Sequence, residues 1–95
     1  MNIGQLVRMA NQIGAFFVTM PDQDKALEGI AEHLRKFWEP RMRRELLAFL
    51  DQHPDGRSGD VVLDPVVCKA VDSHRIALTP MKPAPSATTA ASSDQ

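Results

Sequence analysis

Four prolines, Pro21, Pro40, Pro54 and Pro65, cut the first 79 residues into segments whose apolar side chains recur every three or four positions. Proline has no N–H to donate to a helix and its ring crowds the preceding turn, so each marks a start, stop or kink. Spacing of three and four is the pattern of an amphipathic helix. The combination predicts an all-α fold, a small bundle of three to four helices.

In the first segment the apolar residues are Ile3, Leu6, Ala10, Ile13, Phe17 and Met20, with Val7 and Gly14 beside the seam. Asn2 suits the N-cap, and Pro21 is the expected stop. Asp22 then reads as the N-cap of a second helix, with Asp24 favourably placed in its first turn. Ala26, Leu27, Ile30, Ala31, Leu34, Phe37 and Trp38 form the expected buried face of that helix. So wide a face predicts neighbours on more than one side. At Pro40 the helix either breaks or kinks. Met42, Leu46, Leu47, Phe49 and Leu50 supply the inner face beyond it, and His53-Pro54-Asp55-Gly56 ends the segment with turn residues. Asp64-Pro65 opens a short fourth helix with Val67, Ala70, Val71 and Leu78 inward. Val61-Val62 reads as an extended piece for which no pairing strand is evident, and Gly14 as a close approach between helices.

Residues 1–79 are expected to form one helical domain. Pro80 to Gln95 hold three of the seven prolines, with serine, threonine and alanine, and only Met81 as a large apolar residue. Such a composition buries too little surface to offset its ordering entropy, and 80–95 are read as a disordered tail. A domain of under 80 residues buries only about 60% of its unfolded surface, so help from a partner is expected. No run approaches the roughly 20 apolar residues of a membrane span, and the N-terminus lacks the features of a signal peptide. The lone Cys68 permits no internal disulfide, which makes the cytoplasm the expected compartment.

The catalytic inventory is sparse. His33, His53 and His74 have no partner ligand three or four positions away, so no metal site is expected. Cys68 and His74 are six residues apart and fall on different helix faces, which excludes a local nucleophile–base pair. No glycine-rich phosphate loop is present, and one tryptophan without tyrosine makes no stacking platform for single-stranded nucleic acid. Cys68 itself reads as a small buried hydrophobe.

Charge is unevenly spread. Between His33 and Glu45 five basic residues, Arg35, Lys36, Arg41, Arg43 and Arg44, face two acids, Glu39 and Glu45, within a chain of net charge −1. If Pro40 starts a new helix, three arginines crowd its first turn, where the helix dipole disfavours cations. Arginine and tryptophan are also over-represented at interface hot spots. Trp38, Arg41, Arg43 and Arg44 are therefore the candidate partner-binding residues. If the helix only kinks, Glu39–Arg43 and Glu32–Lys36 form i,i+4 pairs, Trp38 is core, and the cluster is a solvated face. An alternative reading uses Arg35 to Arg44 in a small helical nucleic-acid-binding or regulatory module. The sequence pI of about 6.3 argues against a nucleic-acid binder.

Two blocks, Met9-Ala-Asn-Gln-Ile-Gly14 and Phe37-Trp-Glu-Pro-Arg-Met-Arg43, with Phe16-Phe17 and Met20-Pro-Asp22 between them, resemble the delta subunit of NAD-dependent formate dehydrogenases. The likeness runs in order over residues 3 to 78; the connection 52–60 and the tail carry no feature of the family. The resemblance implies a cytoplasmic complex that oxidises formate and passes the electrons to NAD. It implies that larger subunits hold the molybdenum or tungsten pterin, iron–sulfur clusters and FMN, with no cofactor in this chain. The expected role is that of a non-catalytic accessory subunit, bound to the large molybdenum-containing subunit and stabilising the holoenzyme or assisting its assembly. Neither nucleic acid nor membrane is an expected partner.

Overall fold

A computed structural model describes residues 2–80. Five helices and a two-stranded hairpin follow in the order α1 Ile3–Phe17, α2 Gln23–Phe37, α3 Pro40–Gln52, β1 Arg57–Ser58, β2 Val61–Val62, α4 Pro65–Ser73 and α5 Arg75–Leu78. The fold is all-α apart from that hairpin. The expectation of a disordered tail concerns residues that, beyond Pro80, lie outside the described ones.

The caps follow the sequence. The Asn2 side chain accepts from the Gln5 N–H at 2.8 Å, and Asp22 accepts from the Lys25 N–H at 3.2 Å. Glu39 and Asp64 occupy the N-cap positions of α3 and α4 without side-chain capping bonds, and Pro40 and Pro65 start those helices. A proline there gives up only an N–H that had no helical partner anyway. At Pro40 the chain breaks rather than kinks, since Trp38 and Glu39 are both extended.

Three expectations are corrected. α1 ends at Phe17 and not at Pro21: the Thr19 hydroxyl donates to the Phe16 carbonyl at 2.8 Å, and Met20 is left exposed outside the helix. Phe37 is not buried; the break after it turns α3 away and leaves the ring 70% exposed. Val61-Val62 does have a partner. Arg57 pairs with Val62 and Ser58 with Val61, antiparallel across the two-residue loop Gly59-Asp60, in which Gly59 takes the left-handed φ of 60°.

α2 packs against α1, α4 and α5, which accounts for its wide apolar face, while α1 also meets α3, α4 and β2. Leu6, Ile30, Leu34, Leu63, Val67, Val71 and Leu78 are the largest fully buried side chains, so all the helices but α3 and the segment after β2 contribute to the centre. From α3, Leu46, Leu47, Phe49 and Leu50 join the same core and Met42 packs at its edge. The fourth helix stops at Ser73, and Leu78 reaches the core from α5.

Candidate docking site

α1 presents two faces of different character. On one, Leu6, Val7, Ala10 and Gly14 are buried. A Cβ on Gly14 would lie 2.6 Å from Cγ2 of Val67, so glycine there sets the distance of closest approach between α1 and α4. Asn11 secures the seam. Its Nδ2 donates to the Val62 carbonyl at 2.9 Å, and its Oδ1 accepts the Asp64 N–H at 2.8 Å. One side chain thus ties α1 to both the hairpin and the start of α4.

The other face is open. Met9, Gln12, Ile13, Phe16 and Phe17 of α1, with His33 of α2 and Trp38 just beyond it, line a mainly apolar groove of about 390 Å³. Three rings of its lining continue in a row to a fourth, Phe37, beside it. Phe16 meets Phe17 edge-on with centroids 5.1 Å apart, Phe17 lies 6.4 Å from His33, and His33 lies 4.8 Å from Phe37. Gly29 makes room for this row, because a Cβ there would come within 2.6 Å of the Phe17 ring. Phe16 and Phe37, at the ends, are 71% and 70% exposed. Apolar residues that stay exposed as one contiguous patch, rather than scattered singly, are a feature of interaction surfaces.

The two sequence blocks converge here. In the first, Ala10, Asn11 and Gly14 face the closed seam while Met9, Gln12 and Ile13 face the groove. In the second, Phe37 packs against the His33 of the lining and Trp38, only 5% exposed, joins the core while also lining the groove.

The candidate arginines are not one face. Arg43 turns inward, where Nη1 makes a long 3.4 Å hydrogen bond to the Leu78 carbonyl and Nε is buried without a hydrogen-bond partner among the described residues. Its Leu78 contact sits at the last turn of α5, an end that attracts cations. Arg41 and Arg44 are exposed and form no ion pair among the described residues, and the first turn of α3 contains no acid. Arg35 and Lys36 share Glu32, Arg35 through a hydrogen bond and Lys36 at 3.7 Å. The hydrogen bond from Arg35 holds the Glu32 carboxyl below its ordinary range, with the two nearby positive charges adding to the effect. The pair Glu32–Lys36 forms as its spacing predicts; Glu39–Arg43 does not, because Arg43 is engaged at α5.

Cys68 is half-buried, with Sγ 3.6 Å from the Leu63 carbonyl, and burial together with the charge of Asp72 pushes its thiol up. Among the described residues no three His, Cys, Asp or Glu side chains gather closely enough to hold a metal ion, and no helix is long and apolar enough to cross a membrane. Sequence reasoning missed the aromatic row. Phe16 had been detectable as a large ring lying off the Ile3-to-Phe17 seam, whereas the exposure of Phe37 depends on where α3 turns.

The described residues thus form a small helical scaffold with an open, mainly apolar groove and, on α3, two exposed arginines that form no ion pair among them. Residues 5–71 match the family of NADH-dependent formate dehydrogenase delta subunits, and the chain belongs to that family. No curated protein and no solved structure matches it significantly.

Proposed function

We propose that this chain is a non-catalytic accessory subunit that stabilises, or assists the assembly of, a cytoplasmic NAD-dependent formate dehydrogenase by binding its large molybdenum-containing subunit. Membership of the delta-subunit family over residues 5–71 carries the reading. The open groove supports it, since two exposed phenylalanines are costly on a free surface and are useful once a partner covers them. The pterin, the iron–sulfur clusters and FMN belong, in this reading, to the larger subunits. Arg41 and Arg44 act as charged contacts to the partner; Arg43 and Trp38 act from beneath, by fixing α3 and the groove.

The test is to tag the chain in its host and quantify what co-purifies. A subunit that stays bound co-elutes with active enzyme in near-equal amounts, whereas an assembly factor is enriched on cofactor-free enzyme. Absence of formate dehydrogenase subunits from the eluate defeats both forms of the proposal.

A further inference from the structure

We infer that the groove between α1 and the C-terminal end of α2 is the docking site itself, and that its occupant is an amphipathic, acid-flanked segment of the large formate dehydrogenase subunit. The inference rests on the subunit reading above and adds the surface and the chemistry of what fills it.

Shape comes first. The groove lies between two helices and is lined by Met9, Ile13, Phe16, Phe17 and Trp38, with the exposed ring of Phe37 packed next to its His33. The hairpin strands are two residues long, too short to template an added strand. What suits the groove is a partner helix that lays apolar side chains between the rings, the arrangement by which amphipathic helices are held in apolar grooves. Gln12 and His33 supply polar points within the lining.

Charge selects the occupant further. Arg35, Lys36, Arg41 and Arg44 are all exposed and lie within six residues of Trp38, whose side chain lines the groove. Against these four cations the stretch from Glu32 to Glu45 offers Glu32, already shared by two of them, and Glu39 and Glu45, neither of which forms an ion pair among the described residues. Arg41 and Arg44 also sit in the first turns of α3, at the end of the helix that prefers negative charge. Carboxylates flanking the apolar face of an incoming helix would answer both the unpaired guanidinium groups and the helix end. A second copy of this chain brings the same exposed cations of the 35–44 stretch, and like charge opposes self-association through that part of the surface.

The experiment uses the intact complex. Phe16→Asp/Phe37→Asp is made in the tagged chain, with Ile76→Asp as a control at a residue 94% exposed outside the groove. All the changed side chains are exposed, and circular dichroism verifies that helicity is retained. The expected result is loss of the large subunit from the double variant by about tenfold or more, as for removal of two aromatic anchors and their replacement by charge, with the control retained at the wild-type level. Arg41→Glu/Arg44→Glu should also weaken retention. A photo-crosslinking residue at position 12, placed in the wild-type complex, should join to an amphipathic segment of the large subunit that carries acidic residues.

Wild-type retention of the folded double variant overturns the inference while leaving the subunit reading intact. A cross-link to a second copy of this chain, or to a basic segment, overturns the assigned occupant. If the wild-type chain itself brings down no formate dehydrogenase subunit, the subunit reading falls, and the inference with it.

Discussion

The two faces of α1 are built from the same six-residue block and do opposite things. Toward α4 and the hairpin, Gly14 lets the helices touch and Asn11 fills the hydrogen-bonding needs of Val62 and Asp64. Toward the C-terminal end of α2, Met9, Gln12 and Ile13 line a groove that stays open, and the row of rings there ends in the exposed Phe16 and Phe37. A short helix in a small domain thus spends one side on its own stability and holds the other for a partner. The difference teaches that a sequence block can be kept together by two separate demands, and that substitutions only three positions apart should fail in different assays.

The largest effect is expected on the closed face. Leu6 is fully buried, and Leu6→Ala should cost about 2–5 kcal/mol through lost burial and the cavity left behind. In a domain of this size each kcal/mol lowers the melting midpoint by about 4–8 °C, so thermal unfolding followed by circular dichroism gives a large signal. Phe16→Ala, by contrast, should change stability by no more than about 0.5 kcal/mol while weakening the complex. Equal destabilisation by the two would erase the distinction between the faces.

Asn11→Ala comes next. It strands the Asp64 N–H and the Val62 carbonyl together, at an expected cost of about 1–3 kcal/mol, moderated by the partial exposure of the site. Hydrogen exchange offers a local check: the Asp64 amide should lose protection before the amides in the middle of α2 do. If protection at Asp64 is unchanged, α1 and the hairpin are joined by packing alone.

Helices were legible because local chemistry fixes them. Asn2 and Asp22 cap as expected, and Pro40 and Pro65 sit at first helical positions, each decided by residues within one turn. The hairpin carried a readable signal too, since Gly59-Asp60 between Ser58 and Val61 is a two-residue turn of a common type. Without that turn in view, Val61-Val62 lacked a partner. Phe37 was harder. It continues the stripe of Ile30 and Leu34, and only the direction taken by α3 after Glu39 removes its cover. The same tertiary fact decides Arg43, which the sequence grouped with Arg41 and Arg44 but which α5 draws inward. The basic cluster was therefore visible as a composition, whereas the groove beside it needed two helices placed in space.

Gly29 offers a finer test of the open face. Replacing glycine by alanine in a helix interior gains roughly 1 kcal/mol of helix propensity, but here the new methyl would meet the Phe17 ring. The two terms oppose each other, and net stability should move by less than about 1 kcal/mol. Displacement of Phe17 disturbs the ring row that reaches His33 and Phe37, so retention in the complex should fall although the fold holds. A variant that is both stable and fully retained would show that the position of Phe17 is immaterial to docking.

The smallest effect is expected at Cys68, which reports on the closed side without belonging to the groove. A Cβ on Gly56 would meet its Sγ at 2.7 Å, so the thiol is packed behind the turn that follows α3. Burial keeps it protonated above the usual thiol range, with Asp72 acting in the same direction. The thiolate is the reactive form, and alkylation of the native chain should be slow at neutral pH compared with a short unstructured peptide, accelerating only at more alkaline pH. The linked stability has a definite sign. A thiol that holds its proton more tightly when folded favours the native state at pH below the unfolded thiol's pKa, and that contribution is lost as pH rises through the raised, folded value. Partner binding in the groove should leave the alkylation rate of Cys68 unchanged, because Cys68 lies on α4 and is not among the residues that line the groove. If the complex protects Cys68 as strongly as it protects a cysteine placed at Gln12, the partner covers the α4 side as well, and the division of α1 into a structural face and a docking face does not hold.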